Sequence, residues 1–240
     1  MSSHVFVDLE SSGLEEKDRI CELALVIEKE GEKLVFSDLC KSPKKISNEA
    51  MSLHHITNEM ITDAQPIKET PSYKALLEHN NEENILIAHN LPFDINMLSK
   101  EGFISKMQYI DTLRCTKALI PECENFSLQF LRYELELYKE EPKEAELLGI
   151  ELCAHRALSD CLHLRLLYKT LLEYATVSQL IQISAKPVLL EKFTFGKYNG
   201  RYIEEILNLD RGYLHWMLEN IDDMDEDLKY SIEHYMKELG

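Results

Sequence analysis

An aspartate and a glutamate two residues apart, Asp8 and Glu10, lie on an apolar run from Val5 to Leu9. A strand's period of two turns both side chains to one face, so a fold that takes this run as a strand must accommodate two carboxylates side by side. Such a pair repels itself unless a cation neutralises it, and hard carboxylate oxygens without thiolate or imidazole partners suit Mg2+ or Mn2+ better than Zn2+. Taken alone, the pair also fits a solvated strand end.

Two further segments carry acids in comparable settings. The apolar run Ile85-Leu86-Ile87-Ala88 breaks at His89-Asn90-Leu91-Pro92. Pro92 suits the first turn of a helix, which places Asp94 in that turn, near the carboxyl edge of a strand where open α/β sheets bind their ligands. From Leu152 to about Tyr174 apolar residues recur at Leu158, Leu162, Leu166, Leu167 and Leu171 with no proline or glycine, which predicts a long amphipathic helix. His155 and Asp160 on that helix would be offset by about 140° and would approach one centre from neighbouring faces. Each of these residues has an ordinary structural explanation, as a cap or a surface position. The constellation carries the chemical reading.

Strand and turn signals predict strands over Val5–Leu9, Ile20–Glu28 and Lys33–Cys40, with Glu30-Gly31-Glu32 as a hairpin turn, and further strands at Ile85–Ala88 and Tyr109–Asp111. Helices are expected over Pro71–His79, Pro92–Lys100, Thr112–Leu119, Ser127–Leu137 and Leu152–Tyr174. The resulting class is α/β, a mixed sheet flanked by helices. Six cysteines at 21, 40, 115, 123, 153 and 161 form no Cys-x-x-Cys pair and read as reduced, mostly packed thiols.

No stretch approaches the roughly twenty apolar residues of a membrane span, and MSSHVFVD lacks the pattern of a signal peptide, so no membrane association and a cytoplasmic location are expected. The net charge of −17 excludes a non-specific nucleic-acid coat, whose affinity would come from neutralised phosphates. It is compatible with an enzyme that grips a few terminal nucleotides and uses bound cations where the phosphate sits. The acidic stretches Glu136–Glu151 and Asp222–Asp227 read as solvated faces or loops away from that site.

Together the three segments resemble the motifs of the DEDDh group of DnaQ-like 3′-to-5′ exonucleases: Asp-x-Glu at Asp8 and Glu10, an aspartate at Asp94, and His-x-x-x-x-Asp at His155 and Asp160. Leu53-His54-His55-Ile56-Thr57 resembles the family's "HGIT" element, Asp111-Thr112-Leu113 its "DT" element, and Phe126–Leu131 its "sL..L" element. Ser11 and Ser12 stand where the family usually has Thr-Thr or Thr-Gly, and His55 stands at the glycine of "HGIT". The resemblance covers roughly the first 175 residues and implies a ribonuclease H-like fold. It further implies two-metal hydrolysis with two Mg2+ or Mn2+ ions held by Asp8, Glu10, Asp94 and Asp160, and His155 as general base. Ser11, Leu14, His54, Asn90 and Phe93 match the positions that contact the terminal nucleotide.

Residues 176–187 read as a linker around Ser184-Ala185-Lys186-Pro187, and residues 188–240 as a small second module. Its run Phe193–Tyr202 alternates aromatic and turn residues and predicts a compact hairpin. The strings FGKYNGR and YLHWML resemble the C-terminal module of exonuclease X-like proteins. Lys197 and Arg201 beside Tyr198 form a candidate phosphate-and-stacking surface for a single strand, Lys197 being the favoured contact, while Phe195 and Trp216 are expected in the module's core. The activity expected is a metal-dependent 3′-to-5′ exodeoxyribonuclease of repair or proofreading type, acting on single-stranded DNA or DNA 3′ ends and releasing nucleoside 5′-monophosphates. The alternatives are an RNA-trimming exoribonuclease, a proofreading subunit bound to a DNA polymerase, and a non-catalytic nucleic-acid binding module.

Overall fold

The computed structural model describes residues 2–153, 155–193, 195–222 and 224–238. Thr194 in the aromatic run and Asp223 in the acidic run lie outside the described residues. The chain begins with three antiparallel strands, β1 (His4–Ser11), β2 (Ile20–Lys29) and β3 (Glu32–Leu39), then helices α1 (Asn48–His54) and α2 (Pro71–Glu78). Strand β4 (Ile85–Ala88), α3 (Leu91–Lys100), β5 (Gln108–Asp111) and α4 (Thr112–Leu119) follow, then α5 (Leu128–Glu134), α6 (Glu141–Leu148), α7 (Ala157–Leu171) and α8 (Val177–Ser184). The last three helices are α9 (Ile203–Leu209), α10 (Arg211–Asn220) and α11 (Glu226–Glu238).

The sheet runs β3-β2-β1-β4-β5, with β4 parallel to β1 and β5 parallel to β4. Its two faces bury separate cores. Val5, Val7 and Leu9 of β1 point to one face and pack with Leu76, Leu98 and other residues of α2 and α3. Phe6 points to the other and packs beneath α7 with Ala24, Cys161 and Leu164. By the alternation of a strand, Asp8 and Glu10 share the face of Phe6 and lie on the side covered by α7. Leu162, Leu164, Leu167 and Leu171 of α7 are fully buried, as a helix crossing the centre of a sheet requires.

Several expectations are corrected by packing. Helix α7 begins at Ala157, so His155 lies in the turn ahead of it with φ +54° and is not a helical residue. Residues 176–187 are mostly helix: α8 starts with a Thr176–Gln179 capping box and buries Leu180 in the core beneath the five-stranded sheet, so the connection between the domains shrinks to the residues around Lys186 and Pro187. The acidic stretch from residue 136 is not wholly solvated either. Glu141 and Glu144 are buried in and around α6, where Arg132 pairs with Glu141, and Arg165 and Lys169 pair with Glu144. In the C-terminal module the described residues form no two-stranded hairpin, only a single antiparallel bridge between Lys192 and Tyr202, and the bulk is α9, α10 and α11 around Phe193, Ile203, Ile206, Leu214 and Ile232. Phe195 and Trp216 are exposed, Trp216 by 50%, with its ring stacked on Tyr213 at 5.9 Å. Three spaced apolar helical stripes fill this small core without them.

The module is docked by a buried charge cluster. Asp227 at the start of α11 receives Lys117 and Arg114 of α4, each at 3.1 Å, and also accepts from the Val188 backbone N–H at 3.0 Å. Removing Asp227 takes the buried partner from both cations, leaving Lys117 to Asp225 and Arg114 to the more exposed Glu226, at a cost of about 2 kcal/mol. Asp227→Ala is therefore expected to loosen the module first. Fluorescence of Trp216, the single tryptophan of the chain, should report a transition below that seen by circular dichroism. Coincident transitions would refute the docking role.

Candidate active site

Three of the acids converge. Carboxylate oxygens of Asp8, Glu10 and Asp160 lie within 4.8 Å of one another, each side chain half-buried. Asp8 and Glu10 come from the α7-facing side of β1, and Asp160 from the first turn of α7, which crosses that face. At such separations two like charges repel by about 3.5 kcal/mol at an effective dielectric of about 20, so three of them are a poor arrangement without a cation. The carboxyls respond accordingly. Burial, and then the charges of Asp160 and Glu22, push Glu10 up to about 8, against a partial offset from Arg156. Asp8 is held well above the usual carboxylate range by burial and by Asp160, Asp94, Glu10 and Glu22. A donor set of carboxylate oxygens fits a hard divalent cation, whose charge would relieve this repulsion.

Asp94 lies in the first turn of α3, almost fully buried. Burial and the nearby Asp111 raise its carboxyl well above the ordinary range, with a smaller push from Glu10. It adjoins the cluster of three without sharing its close spacing. Asp111 in turn accepts from the backbone N–H groups of Asn90, Leu113 and Arg114, capping α4 and holding the start of α3 against it.

His155 is exposed, and its ring meets the edge of the His55 ring at 5.7 Å between centroids. Both histidines have positive φ, a conformation that glycine adopts freely and histidine tolerates better than most residues. His55 closes α1 in that conformation, its N–H donating to the Met51 carbonyl at 2.9 Å, which gives a backbone reason for glycine at the matching position of the resembling motif. The segment bearing His155 is anchored by a pair not anticipated from the sequence. Arg156 donates to Glu22 at 2.5 to 3.1 Å, and the Ala157 N–H donates to the same carboxylate at 3.1 Å. Glu22 is the β2 partner of Glu10, so this contact ties the turn ahead of α7 to the strand position beside the acids.

Asp160 is held by the Gln129 amide, which donates at 2.5 Å, and lies 3.3 Å from His163 Nδ1. Gln129 belongs to the "sL..L"-like string, but its partner could be known only from the fold.

The expected nucleotide contacts fall into two groups. Leu14 is 83% exposed on the loop after β1, and Asn90 is exposed with φ +66° at the head of α3. The Leu14 loop is folded back by Asp18, which accepts from Ser12 Oγ at 2.7 Å and from the Glu15 N–H at 2.8 Å, and a Cβ at Gly13 would sit 2.7 Å from Asp18. Phe93 is half-buried against the α3 side of the core. By contrast, His54 is buried with both ring nitrogens engaged: Nδ1 accepts from the Ile56 N–H at 3.0 Å, so Nε2 donates to the Ser11 carbonyl at 3.1 Å. It positions the end of β1. Ser11 Oγ donates to the Gly13 carbonyl at 2.8 Å. Lys197 lies far along the chain in the module, paired with Asp210 at 3.0 Å and lying over the Tyr198 ring.

No helix among the described residues is long and apolar enough to cross a membrane. Comparison with known proteins agrees with this architecture. Residues 5–168 match the family model described as Exonuclease, and residues 193–222 match one described as Exodeoxyribonuclease X-like C-terminal. The chain is 29% identical to exodeoxyribonuclease 10 of Escherichia coli over 96% of its own length and 97% of that protein's. It is 33% identical to the PolC-type DNA polymerase III of Staphylococcus haemolyticus, over 57% of this chain but 10% of the polymerase. Among solved structures, exonuclease X in complex with 5′ overhanging duplex DNA aligns with a TM-score of 0.56 and 25% identity, covering 77% of this chain and 99% of that one. The E. coli exonuclease I complex with a dA16 oligonucleotide shares the fold, with a TM-score of 0.52 at 18% identity over 76% of this chain and 42% of that one. With its acids converging under α7 and the family model spanning most of its length, this chain belongs to the exonuclease family.

Proposed function

We propose that this protein removes nucleoside 5′-monophosphates from DNA 3′ ends by metal-dependent hydrolysis. The observation that carries the reading is the convergence of Asp8, Glu10 and Asp160 from two separate elements into one carboxylate cluster. A relative matching nearly the whole chain is named an exodeoxyribonuclease, which favours DNA as substrate.

Asp8, Glu10 and Asp160 would hold divalent cations, Mg2+ or Mn2+, with Asp94 contributing from beside them. A bound cation neutralises charge developing on the phosphate and lowers the pKa of water. The residues of the chain do the rest. His155, exposed at the approach to the acids, accepts the proton as water oxygen bonds to phosphorus, and the bond from phosphorus to the 3′ oxygen of the neighbouring nucleotide breaks, that oxygen gaining a proton from solvent. Glu22 and Arg156 keep the His155 turn in register with Glu10. Gln129 fixes the Asp160 carboxylate in one orientation, so the ligand set is preorganised before substrate arrives. Leu14, exposed on the loop after β1, and Asn90, exposed at the head of the helix that carries Asp94, would contact the terminal nucleotide.

A gel time course with a 5′-labelled single-stranded DNA, the same sequence in RNA, and an Asp160→Asn control tests this. The expected result is a ladder shortening from the 3′ end in DNA with Mg2+ and none with the variant. Faster loss of RNA would reassign the substrate, and loss persisting in the variant would remove the acids from the mechanism.

A further inference from the structure

Between the exonuclease domain and the C-terminal module lies a cleft of about 900 Å3. One wall includes Asn90, which opens the helix carrying Asp94, and Phe126. That wall is rigid. His89 bridges it, Nε2 donating to the Phe126 carbonyl at 2.8 Å and Nδ1 accepting from the Thr112 hydroxyl at 2.9 Å. The opposite wall belongs to the module and includes Lys192, Gly200 and Tyr202.

We infer that this cleft is a binding track for the single-stranded segment leading away from the 3′ end, with Lys192 as its phosphate contact and Tyr202 as its base-stacking platform. The inference rests on the exonuclease reading and assigns the module a part in it. Tyr202 is 51% exposed, and Lys192 Nζ lies 4.9 Å from its ring centroid. The two residues are bridge partners in the backbone, and their neighbours Phe193 and Ile203 are buried in the module core, so the pair is presented on a fixed base. Among the described residues Lys192 makes no ion pair, whereas Lys197 is held by Asp210 and Arg201 by Glu205. Of the two described cations that line the cleft, Lys117 is paired and Lys192 is not, so the phosphate contact expected of Lys197 passes to Lys192.

The rest of the cleft decides what kind of strand fits. Glu122, Glu124 and Glu191 also line it, and Lys117 there is neutralised by Asp225 and Asp227. The lining is net negative, three glutamates against Lys192 and a neutralised Lys117, and a lone cation–aromatic pair cannot grip the two closely spaced phosphate rows of a duplex. It suits a single strand, whose bases are free to stack on an aromatic ring and whose phosphates need one contact.

The test compares Lys192→Ala, Tyr202→Ala and Tyr202→Phe with the wild type. Initial rates are measured in Mg2+ on single-stranded DNAs of about 20 and about 4 nucleotides, lengths on either side of a typical single-strand footprint. For either alanine variant KM on the long strand should rise about tenfold with kcat retained, and the short strand should be unaffected. Tyr202→Phe keeps the stacking face and should stay near wild type. Lys192→Ala should also lower the salt dependence of long-strand binding by about one phosphate contact. Equal effects on both lengths, or none on either, would overturn the track while leaving the exonuclease reading intact. Failure of the wild type to shorten either DNA would instead sink that reading and the track with it.

Discussion

Asp8→Asn is expected to abolish hydrolysis and divalent-cation binding together, while His155→Ala slows turnover with cation affinity largely kept. The substitution at Asp8 changes little volume but removes one of three carboxylates spaced within 4.8 Å, the one whose proton affinity is raised by burial and then by Asp160, Asp94, Glu10 and Glu22. The cluster then keeps only two of its three carboxylates, and a loss of more than about a thousandfold in rate is expected. His155 is outside that close cluster, so its removal should cost only the proton transfer, about a hundred- to ten-thousandfold. Calorimetric titration with Mn2+ separates the roles, and equal losses of affinity in the two variants would refute the division. A second readout guards against misfolding. Asp8→Asn relieves repulsion, so in a chelator it should melt at or above the wild-type temperature.

Divalent cations should stabilise the protein, and by more at high pH than at low. Glu10 moves from an ordinary value of 4.5 to about 8 on folding. Between those values the folded state holds a proton that the unfolded chain has released, so stability falls as pH rises through this window, and the loss is complete above about 8. The limiting slope is about 1.4 kcal/mol per pH unit for one proton. The upward shifts of Asp8 and Asp94 act in the same direction. For a chain of this size 1 kcal/mol corresponds to about 2–4 °C in Tm. In a chelator, Tm should therefore drop by about 4 °C or more from about pH 6.5 to about pH 8.5. Mg2+ should restore most of that loss, and Glu10→Gln should flatten the dependence. A chelator-treated protein whose Tm is level across this range would show that the acids do not repel one another as their spacing requires.

The contrast between what was legible and what was not follows from the range of the interactions involved. The alternation of Val5, Val7 and Leu9 against Phe6, Asp8 and Glu10 is local, and it already placed both acids on one face of a strand; the apolar run at Ile85–Ala88 and the leucine stripe of α7 were equally local, and the α/β class followed from them. The five exonuclease-motif positions could be numbered for the same reason, since motif spacing is a property of the chain. Burial of charge is not. Glu22 meets Arg156 across 134 residues, Lys117 meets Asp227 across 110, and Arg165 meets Glu144 across 21, so acids that look solvated in sequence become internal ion pairs only when the fold supplies their partners.

The same distinction explains the aromatics and the histidines. Phe195 and Trp216 have the composition of core residues, but three helices fill the module's interior before they reach it, leaving them at the surface. His54 is spent on the Ser11 carbonyl, and His155 lies ahead of the helix because Arg156, extended and paired with Glu22, starts it at Ala157. Sequence by itself singled out the acids that could bind a cation and the order of the strand and helices bearing them, because both depend on neighbours along the chain. Tertiary structure alone decided which charges are buried, which of the cleft's two described cations is unpaired, and that the module faces the exonuclease domain across a cleft, because each depends on residues brought together from distant parts of the chain.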